Sequence, residues 1–355
     1  MKASRITGHP ADKTISGKTI SVIVPCFNSA AYMDHCIGSL VNGWDDVEVL
    51  VIDDGSTDET PAKADKWQAE HPNIVRAIHQ PNKGHGGAVM AGLAAARGEF
   101  VYVVDSDDWL DDDAFSVTLS RLRELIKQKQ TIDLFIVNYV YEHVLTGTRK
   151  VIDYRGSMPR NKVFTWHNTG VFAVGHYITM HSAIYRTQML RDIGLTLPEH
   201  TFYVDNIFVY VPLPHTKRLY YLPVDLYRYF IGRDDQSVDE ESMKKRLGEQ
   251  VLVTEIMASK VKLPDDSIDH KLVSYLEHYL GITVTISSIF AALANTHEAL
   301  AHRQHMWDHI RTVNPELATR LMRQTLVWGS NLPTRAGRLV GIAGYRMAQR
   351  LYRFN

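Results

Sequence analysis

Four short runs of apolar, largely β-branched residues recur from Thr19 onward, at 19–25, 47–52, 74–79 and 100–104, with longer stretches of helical spacing between them. That alternation allows few architectures. Repeated strand–helix–strand units build a mainly parallel sheet with crossover helices on its faces, so an α/β fold is expected. Asn28 or Ser29 is placed to cap a helix whose Met33, Ile37, Leu40 and Val41 share one face. Asp58 is placed to start a second helix, with Pro61 in a first turn where a missing N–H costs nothing. The run 74–79 reads as an edge strand, followed by the glycine-rich loop PNKGHGG and a small-residue helix over 88–96. A helix is predicted over 114–128 and a strand over 132–141. From there to about residue 238 the chain is aromatic-rich and its mixed periodicities define no boundaries. Residues 240–324 read as helical, with a 3.6-type repeat in Leu272, Tyr275, Leu276, Tyr279 and Leu280.

The fourth run ends in VVDSDDWLDDD, six carboxylates in eleven residues. Two like charges 4 Å apart repel by roughly 4 kcal/mol at an effective dielectric near 20, so such a cluster is either well solvated or neutralised by a cation. In open parallel sheets the ligand crevice lies beyond the carboxyl ends of the strands, where Asp53-Asp54 and Asp105-x-Asp107 both fall. A hard divalent cation, Mg²⁺ or Mn²⁺, held by one or two carboxylates plus substrate phosphates, suits a short turn presenting Asp105 and Asp107. The alternative is a strand end whose aspartates cap the next helix, and that reading is preferred for Asp111, Asp112 and Asp113. Asp108 fits either group.

SVIVPCFN, VIDDGSTDET and NKGHGGAVMAGLAAARGEF running into VYVVDSDDW together resemble, continuously and in order over residues 19–113, the N-terminal half of the family 2 inverting glycosyltransferases. PEHTFYVDNIFVYVPL is similar to the family segment that carries the catalytic base, and LYRYFIGRDDQSV to the segment that closes the domain. The resemblance implies a GT-A fold, a Rossmann-like mostly parallel sheet with flanking helices, followed here by a C-terminal helical region. Together with the polar, glycine- and proline-broken start of the chain, the helical periodicity after 238 and the arginines at the end, it divides the chain into a loose leader (1–18), a catalytic domain (19–238, with a nucleotide-sugar half to 113 and an acceptor half beyond), a helical region (239–326) and a basic tail (327–355).

It also implies roles. Asp54 would bond the uracil edge of a UDP-linked donor, with Pro25 and Phe27 flanking the base and Asn28, Lys83, Gly84 and Ser106 lining the donor site. Asp105 would lie near the ribose and metal, Asp107 would bind the metal, and Asp205 would be the general base toward a hydroxyl of a glycan or lipid-linked glycan. The chain departs from the family in having Val204 before the base and Val89-Met90 where the family often has Arg-Asn. Lys83 or Arg233 would then supply the missing positive charge. His85 lines the donor pocket in this reading, and the glycines around it allow close backbone approach. His181, His200 and His215 are further candidates for the metal shell. The Gln/Arg-x-x-Arg-Trp pattern of processive relatives is absent from the sequence, which favours single sugar addition. A polyprenyl-phosphate acceptor, a sugar nucleotidyltransferase and a non-catalytic binding protein are the competing readings.

With 39 basic against 40 acidic residues, no global field marks a nucleic-acid binder. Cys26 and Cys36 provide neither a disulfide framework nor zinc spacing, which fits two packed, inert thiols in a reducing cytoplasm. The uncharged run 279–295 is shorter than the roughly 20 apolar residues a spanning helix needs, so a soluble protein is expected. Beyond Glu316 the sequence holds no acidic residue, while Arg335, Arg338, Arg346, Arg350 and Arg353 fall within about a third of a helical wheel. Such a helix suits either peripheral contact with the inner face of a membrane or packing on the protein or a second subunit of a homo-oligomer.

Overall fold

The computed structural model describes residues 17–143, 146–173, 175–232 and 240–352. Ten strands form one sheet: β1 (Ile20–Cys26), β2 (Val47–Asp53), β3 (Val75–His79), β4 (Phe100–Val103), β5 (Trp109–Leu110), β6 (Leu134–His143), β7 (Thr148–Ile152), β8 (Val163–Phe164), β9 (Ala183–Arg186) and β10 (Leu219–Ile231). The helices that cover it and continue beyond it are α1 (Met33–Gly38), α2 (Thr60–Glu70), α3 (Gly84–Ala95), α4 (Asp112–Lys127), α5 (Thr187–Asp192), α6 (Asp205–Tyr210), α7 (Glu240–Lys245), α8 (Leu247–Lys260), α9 (His270–Ala294), α10 (His297–Val313), α11 (Pro315–Met322), α12 (Thr325–Ser330) and α13 (Arg335–Tyr352).

The strand order is β3-β2-β1-β4-β9-β6-β10-β5, with β7 on β6 and β8 on β10. β3, β2, β1 and β4 run parallel, and β3 is an edge strand as its sequence implies. β9 runs antiparallel to both β4 and β6, which leaves β6 and β10 parallel to the first four. The chain therefore steps outward from β1 to β3 and returns to the other side of β1 with β4. That reversal is the switch point at which a ligand crevice opens.

Alternation along β1 feeds two cores. Ile20, Val22, Val24 and Cys26 pack with Met33, Cys36 and Ile37 of α1, Ala64 of α2, and Phe115, Leu119 and Leu122 of α4 on one face. Ile23 and the inward residues of β4 and β6 pack with Ala88, Val89 and Leu93 of α3 on the other. This second core runs without a break into Val251, Leu276, Tyr279 and Val284 of α8 and α9. α9 is long and apolar enough to span a membrane, but two-thirds of its most apolar window is buried in the protein, so it is a core helix.

Several element ends differ from the sequence expectation. α3 begins at Gly84, four residues earlier than periodicity implies. Glycine disfavours a helix by about 1 kcal/mol, and packing overrides that here. Neither Asn28 nor Ser29 caps α1 through its side chain: the Ser29 carbonyl accepts from Tyr32 and Met33 N–H, while Asn28 is left-handed at φ 51°. Asp58 stands two residues before α2 and accepts from Thr60 N–H at 2.9 Å. The Asp111 carboxylate caps α4, accepting from Ala114 N–H at 3.0 Å with Asp112 and Asp113 in the first turn, as expected.

Buried charge joins the antiparallel half. Asp133, 5% exposed, accepts from Arg186 at 2.9 Å and from the Lys217 and Arg218 N–H groups at 2.9 and 3.0 Å, tying the start of β6 to β9 and β10. Removing one member of such a set leaves the others uncompensated. Asp133→Ala should therefore lower the unfolding free energy by about 3–5 kcal/mol, read by urea denaturation.

Candidate active site

The carboxyl ends of β1, β2 and β4 meet at the switch point. Phe27 follows β1 with its ring 54% exposed at the mouth, while Pro25 is buried in β1 opposite Ile52. Asn28 Oδ1 accepts from Thr57 N–H at 2.9 Å and its own N–H donates to Ser56 Oγ, which joins the β1 and β2 loops. Ser29 and Ser106 hydroxyls lie 2.7 Å apart and join β1 to β4. Asp53 and Asp54 have separate tasks. Asp53 accepts from Ser56 N–H and pairs with His79 at 2.8 Å, whereas the buried Asp54 accepts through Oδ1 from Gln80 and from Lys83 N–H at 2.7 and 2.9 Å.

The glycine turn that opens α3 is a backbone contact surface. A Cβ on Gly84 would stand 2.8 Å from His200 N, and one on Gly86 would stand 2.4 Å from the Pro198 carbonyl oxygen. Gly84 also adopts φ 73°. His200 N–H donates to the Lys83 carbonyl at 2.8 Å, and Lys83 Nζ pairs with Glu199 at 3.0 Å. The approach expected of these glycines is thus made by the segment that leads into Asp205. Val89 and Val204, at the departures from the family pattern, are fully buried in the core. Arg233 lies outside the described residues.

The acidic loop after β4 folds back on β10. Asp105 N–H donates to Tyr227 Oη at 3.2 Å, and the Tyr227 hydroxyl donates to Asp108 Oδ2 at 2.6 Å. Asp108 Oδ1 accepts from Phe230 N–H at 2.7 Å. Asp108 is 2% exposed, and burial together with Asp107 and Asp105 pushes its carboxyl well above the usual range. Asp105 moves the other way: burial opposes its charge, but His181 and His85 hold its carboxyl well below that range. His85 Nε2 sits 2.9 Å from Asp105 Oδ1, and this contact raises the histidine's pKa despite burial. His181 Nε2 lies 3.9 Å from Asp105 Oδ2, with its ring against Tyr227 and Tyr229 at centroid distances of 4.7 and 4.8 Å.

Ligand atoms of Asp105, Asp108 and His181 lie within 4.8 Å of one another. Two carboxyl groups and an imidazole make a donor set whose chemistry fits a divalent cation. The half-buried Asp107 lies outside that set, as do the exposed His200 and His215.

Asp205 opens α6 and faces the same cluster. Burial raises its pKa, and the charges of His181 and His85 oppose that shift. Asn206 Nδ2 lies 3.3 Å from Asp205 Oδ1 and 3.1 Å from the Tyr203 carbonyl, while Asn206 Oδ1 accepts from the Tyr279 hydroxyl of α9 at 3.3 Å. Phe202 N–H donates to Glu249 of α8 at 2.6 Å, and Arg246 stacks 3.4 Å from the Phe202 ring centre. Tyr227 and Asn206 escaped the sequence reading, which took Tyr279 only as a position in a helical repeat. The signal for the first was the alternation Tyr139/Tyr141 and Tyr227/Tyr229, which puts paired tyrosines on one face of adjacent strands.

Residues 21–192 match the glycosyl transferase family 2 profile. EpsH of Bacillus subtilis, a glycosyltransferase by assignment, is 26% identical over 350 residues, 92% of either chain. The poly(ribitol-phosphate) beta-glucosyltransferase of Bacillus spizizenii is 26% identical over 225 residues, which are 61% of this chain and only 33% of that one. Among solved structures, S. aureus TarS 1–349 superposes with a TM-score of 0.64 at 21% identity, over 94% of this chain and 91% of that one. TarS 1–349 has also been solved with UDP and with UDP-GlcNAc. Residues 21–192 thus carry a glycosyl transferase family 2 domain, in a GT-A-like fold that is followed by a helical C-terminal region.

The glycine contact predicts that Gly86→Ala, forced against a backbone oxygen, costs about 1–3 kcal/mol and lowers turnover. Gly156→Ala, with nothing within 4 Å of the new Cβ, is the matched control and should change neither.

Proposed function

We propose that the chain is a metal-dependent, inverting transferase that moves one hexosyl or N-acetylhexosaminyl unit from a UDP-sugar to a hydroxyl of a glycan or lipid-linked glycan. It would serve cell-surface polysaccharide synthesis on the cytoplasmic side. The observation that carries this reading is the convergence of Asp205, His85, His181 and the Asp105 cluster on one crevice, with Asp205 set apart as a base of raised pKa. The UDP and UDP-GlcNAc complexes of TarS support a uridine donor, and the polyol-phosphate substrate in the name of the B. spizizenii relative supports an envelope acceptor.

In this reading Phe27 and Pro25 flank the base and Asp54 bonds the uracil edge. Asn28, Gly84 and Ser106 line the sugar-nucleotide, with Lys83 or Arg233 near the diphosphate. Asp105 and Asp107 would hold Mn²⁺ or Mg²⁺, with Asp108 and His181 as neighbouring donors. When bound, such a cation supplies Lewis-acid stabilisation to the departing diphosphate. Asp205 takes the proton from the acceptor hydroxyl as its oxygen bonds to the anomeric carbon and the opposite carbon–oxygen bond to the diphosphate breaks. Attack from the far face inverts that centre. A carboxylate already bonded into the cation site cannot also receive this proton, which is why the base stands on a separate element.

Asp205→Asn should lower kcat at least ~10²-fold with donor affinity unchanged in calorimetry. A polyprenyl-phosphate acceptor, already an anion, would leave the turnover of that variant nearly intact and would favour that competing assignment. Because burial raises the Asp205 pKa, the base is lost to protonation earlier as pH falls. The acid limb of kcat should then lie above the ~3.9 of an ordinary aspartate, and a limb at or below it would remove Asp205 from the role. Asp107→Ala should abolish Mn²⁺-dependent UDP-sugar binding, and unchanged binding would take Asp107 out of the site.

A further inference from the structure

α13 packs on the protein through a narrow edge. Gly337 is buried, a Cβ on Gly341 would stand 3.1 Å from the Gly329 carbonyl of α12, and Tyr345 meets Phe290 of α9 edge-on at 5.9 Å. The apolar stripe of the helix is turned the other way. Leu339, Val340 and Met347 are 66%, 63% and 63% exposed, and the exposed Ala336 and Ala343 lie between them on the wheel, in one arc of about 100°. On α12, Leu326 and Trp328 are 57% and 55% exposed. Large side chains gathered in this way on a surface mark an interaction site.

The charge that α13 itself carries is of one sign. No acidic residue follows Glu316 in the sequence. Arg346 is paired with Glu240, but Arg335 and Arg338 make no ion pair among the described residues. Arg303 of α10 has its Nη1 buried without a partner, and burial together with the neighbouring Arg338 lowers its pKa. Neighbouring guanidinium groups with no carboxylate partner among the described residues, beside exposed apolar residues, call for an anion-bearing apolar surface.

We propose that the exposed face of α13, together with α12, docks on an anionic phospholipid surface. Leu339, Val340, Met347 and Trp328 would enter the headgroup–acyl boundary, and Arg335 and Arg338 at its rim would meet lipid phosphates. A second copy of this chain is the less favoured occupant, because two such faces would bring Arg335 and Arg338 against their own copies, and the adjoining carboxylate, Glu240, is already paired with Arg346 and Lys244. The proposal concerns a surface separate from the catalytic crevice and stands whatever the sugar or acceptor.

The test is co-sedimentation of the full chain with phosphatidylcholine vesicles with and without phosphatidylglycerol, at low and physiological salt. Binding should require phosphatidylglycerol and weaken with salt. Leu339→Glu/Met347→Glu and Arg335→Glu/Arg338→Glu should each weaken it at least about tenfold, with the far-UV circular dichroism and UDP-sugar binding of the unmodified chain. The proposal is overturned by the absence of binding, by equal binding to pure phosphatidylcholine, or by full binding of the Leu339→Glu/Met347→Glu variant. A dimer in ultracentrifugation that this variant dissolves would assign the face to a second copy instead.

Discussion

Two backbones touch where Gly84 and Gly86 carry no side chain, and the alignment of the crevice's two halves rests on that contact. One half is fixed by the parallel strands, the other by the segment that delivers Asp205. Strain gathers in that segment: His200 and Tyr203 both adopt left-handed conformations, at φ 48° and 64°. Such residues cost of order 1–3 kcal/mol each and persist only where surrounding bonds over-determine them. Here the bonds are His200 N–H to the Lys83 carbonyl, Phe202 N–H to Glu249, and Asn206 Nδ2 to the Tyr203 carbonyl. Asp205 is therefore placed by the glycine turn from one side and by α8 from the other.

The acidic loop shows how one sequence cluster splits by environment. Asp111 to Asp113 start a helix, two histidines favour the charged form of Asp105, and burial among acidic neighbours raises the pKa of Asp108. Neighbouring carboxyls disfavour one another's charge, and the environment of each decides which way it shifts. Tyr227 joins them, through its hydroxyl to Asp108 and through the Asp105 N–H. The same arrangement leaves both cysteines inert, since burial first and then nearby carboxylates raise the Cys26 thiol to about 12 and Cys36 well above its usual value.

Much of this was legible in the chain. Local runs of β-branched residues and acidic strand ends located β1 to β4, the α4 cap and the crevice, because those features depend on neighbours in sequence. What depended on distant partners was not legible. The start of α3 at Gly84 needs Pro198 and His200, the burial of Asp108 needs β10, and the choice of His181 over His200 and His215 needs the fold between β8 and β9. The aromatic stretch from 144 to 238 resisted reading for the same reason, since its strands pair with partners up to about ninety residues away and carry no period of their own.

The core that begins under β4 and β6 continues through Tyr275 and Tyr279 of α9, whose hydroxyls bond Ile178 N–H and the Asn206 side chain. The match to the family profile ends at residue 192, but the apolar interior does not. The stretch that carries the recognisable chemistry is thus shorter than the stretch that must fold for it to work. Drift in the C-terminal helices would reach Asp205 as a shift of one amide, with no change in any motif by which the family is recognised.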